Sequence, residues 1–159
     1  MALASLTGND NYFEDFVPGQ VMEHYRGKTV SEVENVQITN LVMNTAQSHF
    51  NEDMMSRDPR KHRIVYGGVT MSIVLGLAAQ DTAENALSEL GMEKVRFPAP
   101  VFHGDTLYAY TEVVAVSASD REDAGEVTFR HWGLNQRREV VFEGERSALI
   151  KKRSHWAQR

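Results

Sequence analysis

The chain has 159 residues, of which 42% are apolar and 25% are charged, proportions that suit a soluble globular protein with one domain of ordinary size. Its net charge of −5 at pH 7 argues against nucleic acid and anionic membranes as partners. It contains no cysteine, which excludes disulfides and Cys-ligated zinc and fits a cytoplasmic location. No apolar run approaches the roughly 20 residues that a membrane-spanning helix needs.

The start of the chain predicts a tail and then a strand. Residues 1–11 are small and polar, which indicates a flexible N-terminal tail before a single domain that spans residues 12–159. After a Pro-Gly turn signal, the stretch "QVMEHYRGKTV" predicts the first strand.

The next stretch, "SEVENVQITNLVMNT", predicts a helix. Its apolar residues, from Val33 to Val42, recur at approximately helical spacing. Ser31 or Thr39 is expected to cap this helix, because a hydroxyl can accept a hydrogen bond from a free backbone N–H.

A long helix and a run of strands make up the rest of the prediction. We expect the helix to run from Val69 to Leu90, with Gly91 following it as a C-terminal stop. Its first half is apolar on every side, so other elements must wrap it. Four strand-like segments follow, which gives an α+β domain. A long central helix wrapped by a curved antiparallel β-sheet is the hot-dog fold.

Three runs of the sequence resemble the MaoC-like hydratases, which are hot-dog proteins acting on acyl-CoA thioesters. They are "MNTAQSHFNED", "RIVYGGVTMSIVLGLAAQ" and "VRFPAPVFHGDTL", and they come in the family's order and rough spacing. The resemblance extends from about Tyr12 to Lys152. The run from Asn44 to Asn51 is similar to the Asn-Thr-x-x-x-His-Phe-Asn pattern of the branch that acts on mesaconyl-CoA or itaconyl-CoA.

The chain departs from the family pattern at three places. Asn44 stands where the family commonly has an aspartate, five residues before its catalytic histidine. Tyr66 stands where a histidine commonly precedes the glycine of the oxyanion loop. Ala46, Gln47 and Ser48 replace an Asn-Pro pair that often precedes the histidine.

The resemblance implies reversible addition of water to an α,β-unsaturated acyl-CoA. Such a reaction needs a base for the water, an acid for Cα and donors for the thioester oxygen. His49 is the expected base and acid, since an imidazole works in both directions near neutral pH. Asn44 cannot exchange a proton and is expected to position the water, or else to cap the preceding helix. The backbone N–H of Gly67, at the start of the long helix, is the expected oxyanion donor.

Five further residues are predicted to surround the substrate. Gly68 would let the substrate oxygen approach the backbone closely. Tyr66 would line the acyl pocket or donate its hydroxyl, and Asn51 would orient the imidazole. Arg60 and Arg63 belong to the basic run "SRDPRKHR", which would bind the phosphates of CoA or else remain a solvated loop.

No metal or cofactor is expected, apart from the CoA that is part of the substrate. The six histidines are scattered, and no two have the i, i+4 spacing of a helical zinc site. His103 and His131 are interpreted as structural, the latter as a core histidine with satisfied hydrogen bonds.

Two other functions and one assembly state also follow from the sequence. Hot-dog proteins include acyl-CoA thioesterases, for which Glu52 or Asp53 would supply the carboxylate. The missing aspartate would also suit a non-catalytic acyl-CoA-binding subunit. Because one hot-dog leaves part of its helix and sheet uncovered, we expect a homodimer or a higher assembly of dimers.

Overall fold

A five-stranded antiparallel sheet packs against one long helix in the computed structural model, which describes residues 6–157. The strands are β1 (Val21–Thr29), β2 (Ala86–Arg96), β3 (Thr106–Ala118), β4 (Ala124–Leu134) and β5 (Val140–Lys151). The helices are α1 (Glu32–Leu41), α2 (Glu52–Ser56), α3 (Gly67–Thr82) and α4 (Arg153–Trp156), with single 3₁₀ turns at Phe13–Asp15 and Gln47–His49. The strand order is β1-β3-β4-β5-β2, and the predicted α+β architecture is confirmed.

The inner face of α3 forms the centre of the core. Val74 and Ala78 are fully buried and pack with Ala109 of β3 and Phe142 of β5. Their neighbours along the sheet are mostly apolar, so burial of this face supplies much of the free energy that holds the helix on the sheet. The helix therefore has a fixed axis, which places its first turn at one end of the sheet and its last turn at the other.

The predicted end of the long helix is wrong. Helix α3 stops at Thr82, and residues from Ala86 onward form β2, which pairs with β5 along its whole length. Gly91 lies in the middle of that strand rather than after a helix. The segment "ENALSEL" has a helical pattern, but it forms a strand because it pairs with β5 in a long antiparallel ladder. The hydrogen bonds of that ladder outweigh the helix propensity of the segment.

Helix α1 begins where the sequence predicted but buries a different face. Ser31 caps it, and the Ser31 side chain accepts the N–H of the residue three positions later. Thr39 is not a cap, because it lies inside the helix and is fully buried together with Asn35. Val33 and Leu41 are 61% and 81% exposed. The apolar residues that predicted the helix therefore face outward, while two polar residues face the rest of the protein.

Part of the predicted tail is anchored to the folded domain. Residues 1–5 lie outside the described part of the chain, but residues 6–11 contact the C-terminal end of α3. The Asn11 side chain is buried and donates to the backbone carbonyl of Asp81 at 2.9 Å, and the Gly8 N–H donates to the Asp81 carboxylate. The described half of the tail thus belongs to the domain.

Within the described part of the chain, none of the helices has the length and apolar character needed to cross a membrane. The cytoplasmic location stays a prediction.

Candidate active site

His49 is buried at the end of the turn that joins α1 to α2. Its side chain is 8% exposed, and its Nδ1 lies 3.0 Å from the carbonyl oxygen of Ile64. The Ile64 N–H in turn donates to the carbonyl of Ser48 at 3.0 Å, so two hydrogen bonds tie this turn to the segment before α3. Because a carbonyl can only accept, Nδ1 carries a proton, and in the neutral ring Nε2 is the nitrogen with the lone pair.

The first turn of α3 offers free backbone donors close to this histidine. The N–H groups of Val69 and Thr70 both point back to the Tyr66 carbonyl, at 2.9 and 3.2 Å. The N–H groups of Gly67 and Gly68 have no such acceptor within the described residues, as expected for the first residues of a helix. They also lie at the positive end of the helix dipole, which favours an oxygen that gains negative charge.

His49 and Gly67 line the same cleft, which has a volume of about 310 Å³. Its other lining residues are Ile64, Val65, Thr70, Phe97, Ala99, Pro100, Val101 and Val141. The wall is mainly apolar, and His49 and Thr70 bring the polar side chains. A carbon chain can therefore be desolvated here while its reacting end meets an imidazole and a backbone N–H.

Gly67 packs closely against Phe97, another residue of the cleft lining. A Cβ at position 67 would lie 3.1 to 3.3 Å from ring atoms of Phe97, so the ring would have to shift slightly. At Gly68 a Cβ would meet the Tyr66 ring at 2.5 Å. The two glycines thus serve close packing as well as the approach of a ligand to the backbone.

Tyr66 is not among the described residues that line the cleft. Its ring centroid is 5.6 Å from that of His49, and its ring and hydroxyl lie next to the backbone of Gly68. The roles of Tyr66 as a pocket wall or hydroxyl donor stay predictions.

The two predicted asparagines have local partners. Asn44 follows α1, where its N–H donates to the Thr39 carbonyl at 2.9 Å and its Oδ1 accepts the Ala46 N–H at 3.0 Å. The C-cap of α1 is Val42 and the residue with positive φ is Met43, so the Asn44 side chain serves the following turn and does not cap the helix. Asn44 is not among the described residues that line the cleft. Asn51 does not orient the imidazole. Its Oδ1 caps α2 by accepting the Met54 N–H at 3.0 Å.

The predicted phosphate-binding arginines are engaged in ion pairs. Arg60 contacts Asp58 of its own loop, and this contact lowers the pKa of Asp58 to about 2. Arg63 bridges Glu32 and Glu52 at 2.5 Å each, and its hydrogen bond lowers the pKa of Glu32. Arg63 therefore joins α1 to α2, and neither guanidinium lies in the cleft lining.

Asn35 was not predicted as a site residue, yet it connects the parts of this site. Asn35 is fully buried in α1, and its Oδ1 accepts the Tyr66 N–H at 2.8 Å. Its Nδ2 donates to the His49 carbonyl at 3.1 Å and lies 3.0 Å from His103 Nε2. Burial lowers the pKa of His103, which keeps that ring neutral and able to accept. The structural role predicted for His103 is thus supported by its contacts.

A second polar cluster lies at the opposite end of α3. His24 Nδ1 donates to the Asp81 carboxylate at 2.5 Å, and His24 Nε2 lies 2.7 Å from the Thr111 hydroxyl. That hydroxyl is 2.8 Å from His131 Nδ1. His131 is fully buried, which lowers the pKa of its imidazole well below the usual value. Its Nε2 has no partner within residues 6–157, so the prediction of a fully satisfied ring is wrong.

Comparison with protein families and curated relatives places these features in context. Residues 4–152 match the model of a family described as mesaconyl-CoA hydratase. A β-methylmalyl-CoA dehydratase of Chloroflexus aurantiacus is 36% identical over 77% of the chain and 35% of its own length. A mesaconyl-CoA hydratase of Haloarcula marismortui is 31% identical over 92% of the chain and 44% of its own length. The chain thus spans less than half the length of these curated relatives.

Solved structures show the same arrangement of helix and sheet. A MaoC domain protein of Chloroflexus aurantiacus superposes with a TM-score of 0.85 at 30% identity, over 92% of the chain and 46% of that protein. A Mycobacterium tuberculosis protein described as a double hot-dog superposes with a TM-score of 0.82 at 24% identity, over 92% and 46% of the two chains. The predicted hot-dog fold is confirmed.

Proposed function

The chain belongs to the mesaconyl-CoA hydratase family, and from that premise we propose that it catalyses the reversible hydration of an α,β-unsaturated acyl-CoA thioester. The substrate proposed is a branched dicarboxylic thioester of the mesaconyl-CoA or itaconyl-CoA type. One observation carries this proposal: His49, with only Nδ1 bound to a carbonyl, shares one cleft with the free N–H at the start of α3.

The proposed reaction uses His49 for both proton transfers. Nε2 takes a proton from water as the water oxygen forms its bond to Cβ, and the π electrons move through Cα to the thioester oxygen. The Gly67 N–H stabilises the negative charge on that oxygen. The imidazolium then returns its proton to Cα, so one molecule of water has been added. The reverse sequence dehydrates the hydroxyacyl thioester. We propose no cofactor, because acid–base catalysis and hydrogen bonding suffice for this chemistry.

Asn44 remains a predicted ligand of the attacking water. Its Oδ1 is engaged by the Ala46 N–H, so its NH₂ group would have to hold the water. Substrate binding was also predicted for four other side chains, and each of them contacts other residues of the protein in the structure. They are Tyr66, Asn51, Arg60 and Arg63.

The acyl group is tested by a panel of thioesters. The described lining of the cleft contains no lysine or arginine, so a second substrate carboxylate would need a cation from outside this lining. Mesaconyl-, itaconyl- and crotonyl-CoA should be compared by loss of the absorbance of the conjugated thioester. Faster turnover of crotonyl-CoA than of both dicarboxylic thioesters would contradict the proposed substrate class and leave the hydratase reaction intact.

The same assay separates hydration from thioester hydrolysis. The carboxylates predicted for a thioesterase are held outside the cleft, with Glu52 bound to Arg63 and Asp53 to Arg57. We therefore expect loss of conjugation without release of free CoA thiol. Thiol release at the same rate would overturn the proposed hydratase in favour of a thioesterase.

We also propose that the chain works beside a second hot-dog domain, in a homodimer or a higher assembly of dimers. Strand β2 is at the edge of the sheet, and the apolar side chains of Leu90, Met92, Val95 and Phe97 are 38% to 51% exposed. The curated relative from Chloroflexus aurantiacus is matched over only 35% of its length, and one solved structure is described as a double hot-dog. Both findings support this arrangement. Sedimentation equilibrium at micromolar concentration should give a dimer or a multiple of it, and a monomer would contradict the proposal.

A further inference from the structure

We propose that Asn35 is a positioning residue that fixes the His49 turn relative to the start of α3, and so controls the rate of the chemical step. The inference rests on the proposed function, since it assumes that His49 and Gly67 act on one substrate. It assigns a role to a residue that touches neither the cleft nor the reacting atoms.

The contacts of Asn35 reach both halves of the site at once. Its Oδ1 holds the N–H of Tyr66, the residue that precedes the first turn of α3. Its Nδ2 holds the carbonyl of His49 itself. Both partners are backbone groups, at 2.8 and 3.1 Å, so they fix main-chain positions rather than mobile side chains. One rigid planar amide therefore spans the gap between the acid–base residue and the oxyanion donors.

A primary amide suits this position for a chemical reason. It offers an acceptor for Tyr66 and two N–H donors in one plane, of which the second faces the Nε2 lone pair of His103. Aspartate keeps the acceptor and loses both donors. Leucine has nearly the same size but neither group, so three polar partners, one buried and two half-buried, would lose their hydrogen bonds to Asn35.

The position of the two loops should matter more for turnover than for binding. The wall of the cleft is largely apolar and does not include Asn35, so substrate binding does not depend directly on it. Proton transfer to carbon and charge development on the oxygen depend on geometry, and misplacement by about 1 Å can reduce a rate about 100-fold. The inference therefore predicts a fall in kcat with little change in KM.

Thr39 provides a matched control on the same face of α1. It is also fully buried, one helical turn after Asn35, and within residues 6–157 its hydroxyl donates to the carbonyl of Asn35 at 2.6 Å. Replacement of Thr39 by valine removes a buried polar group from this face without removing a side-chain hydrogen bond to either loop of the site.

The experiment measures kcat and KM for Asn35→Leu, Asn35→Asp and Thr39→Val on the best thioester of the panel. We expect kcat to fall about 100-fold in Asn35→Leu and about tenfold in Asn35→Asp, with KM within about threefold of wild type. Thr39→Val should keep kcat within about threefold. If Asn35→Leu does not fold, Asn35→Asp decides. Unchanged kcat in the folded Asn35 variants, or an equal loss in Thr39→Val, would overturn the inference.

Amide hydrogen exchange gives a second readout that does not depend on activity. The Tyr66 amide should exchange faster in Asn35→Leu than in Thr39→Val, because only the former removes its acceptor. Equal exchange in the two variants would overturn the positioning role by itself. A wild-type chain that hydrates no member of the panel would instead overturn the proposed function, and the rate effect of Asn35 with it, whatever the exchange result.

Discussion

At the first turn of α3 His49 binds a protein group through one ring nitrogen, whereas at the last turn His24 uses both of its ring nitrogens. The two imidazoles are similarly buried, at 8% and 3% exposure. They differ in what surrounds them, since His49 borders a cleft and a free helix N-terminus, and His24 lies between a carboxylate and a hydroxyl. Burial alone therefore does not distinguish the proposed catalytic histidine from a structural one. A free ring nitrogen does not either, since the buried His131 also has one within the described residues. What sets His49 apart is the cleft that it shares with the start of α3.

The strongest test of this comparison is removal of the His49 imidazole. His49→Ala should lower kcat about 1,000-fold, because general acid–base catalysis contributes about 100- to 10,000-fold. Its unfolding free energy should fall by only about 1 kcal/mol, from the hydrogen bond to Ile64. Turnover is measured by the absorbance assay and stability by urea unfolding. Turnover close to wild type would show that the two ends of α3 do not differ in the proposed way.

His24→Ala should give the opposite result. Its loss leaves Asp81 and Thr111 buried with incomplete hydrogen bonds, which should reduce the unfolding free energy by about 3 kcal/mol. The kcat of the folded fraction should remain within about threefold of wild type, because no atom of this cluster lines the cleft. A large loss of kcat with unchanged stability would show that the cluster around His24, and not only the site at His49, takes part in the reaction.

Gly67→Ala sharpens the comparison at the first turn itself. The added Cβ would come within 3.1 Å of the Phe97 ring and force the wall of the cleft or the helix start to move. We expect a fall in kcat/KM of about 10- to 100-fold, since a displaced oxyanion donor loses much of its effect. The double variant Gly67→Ala, Phe97→Leu should regain part of the activity, because leucine is smaller than phenylalanine and leaves room for the added Cβ. No recovery would mean that the ring is not the cause.

The smallest expected effect is a pH dependence of stability set by the other end of α3. Burial lowers the pKa of His131 well below its ordinary value of 6.5, so just below pH 6.5 the unfolded chain binds a proton that the folded chain does not. Stability contributed by the neutral ring is therefore present above about pH 6.5 and is lost as the pH falls below it, by up to about 1.4 kcal/mol per pH unit.

Urea unfolding between pH 7.5 and pH 5.5 measures this slope, and His131→Gln is the matched variant. The slope of the unfolding free energy against pH should decrease in the variant, by an amount that corresponds to the uptake of up to about one proton. The hydrogen bond from Lys28 lowers the pKa of Glu34 from 4.5 to about 2. Protonation of Glu34 therefore changes the unfolding free energy only below about pH 4.5, outside the measured range. An unchanged slope would show that His131 does not remain neutral in the folded protein.

The starts of α1 and α3 were predictable from the sequence because their signals are local, whereas the role of His49 was predicted from the family resemblance. Ser31 stands directly before a helical pattern, and the two glycines at 67 and 68 stand directly before an apolar helix. The Asn51 cap was also readable, because an asparagine followed by two acidic residues is a typical helix start. It was missed because a role in orienting His49 was assigned to it instead.

Other features depend on distant parts of the chain and could not be predicted in this way. The segment after Thr82 has a helical pattern, and its pairing with β5, whose partner residues lie 47 to 64 positions later, decides that it is a strand. Asn35 was overlooked because the apolar periodicity of α1 pointed to the opposite face as the buried one. That pattern is misleading since Asn35 meets its partners only when the segments around His49 and Tyr66 fold against it.

The outer edge of β2 carries a further consequence. An eleven-residue strand with unpaired backbone groups and apolar side chains can template the growth of cross-β aggregates. Its pairing with β5 is interrupted by three register shifts, which bend the edge and limit such stacking to a partner of matching shape. At a fixed protein concentration, a variant that does not form the proposed dimer should therefore aggregate faster than the wild type, even where the unfolding free energy of each chain is unchanged.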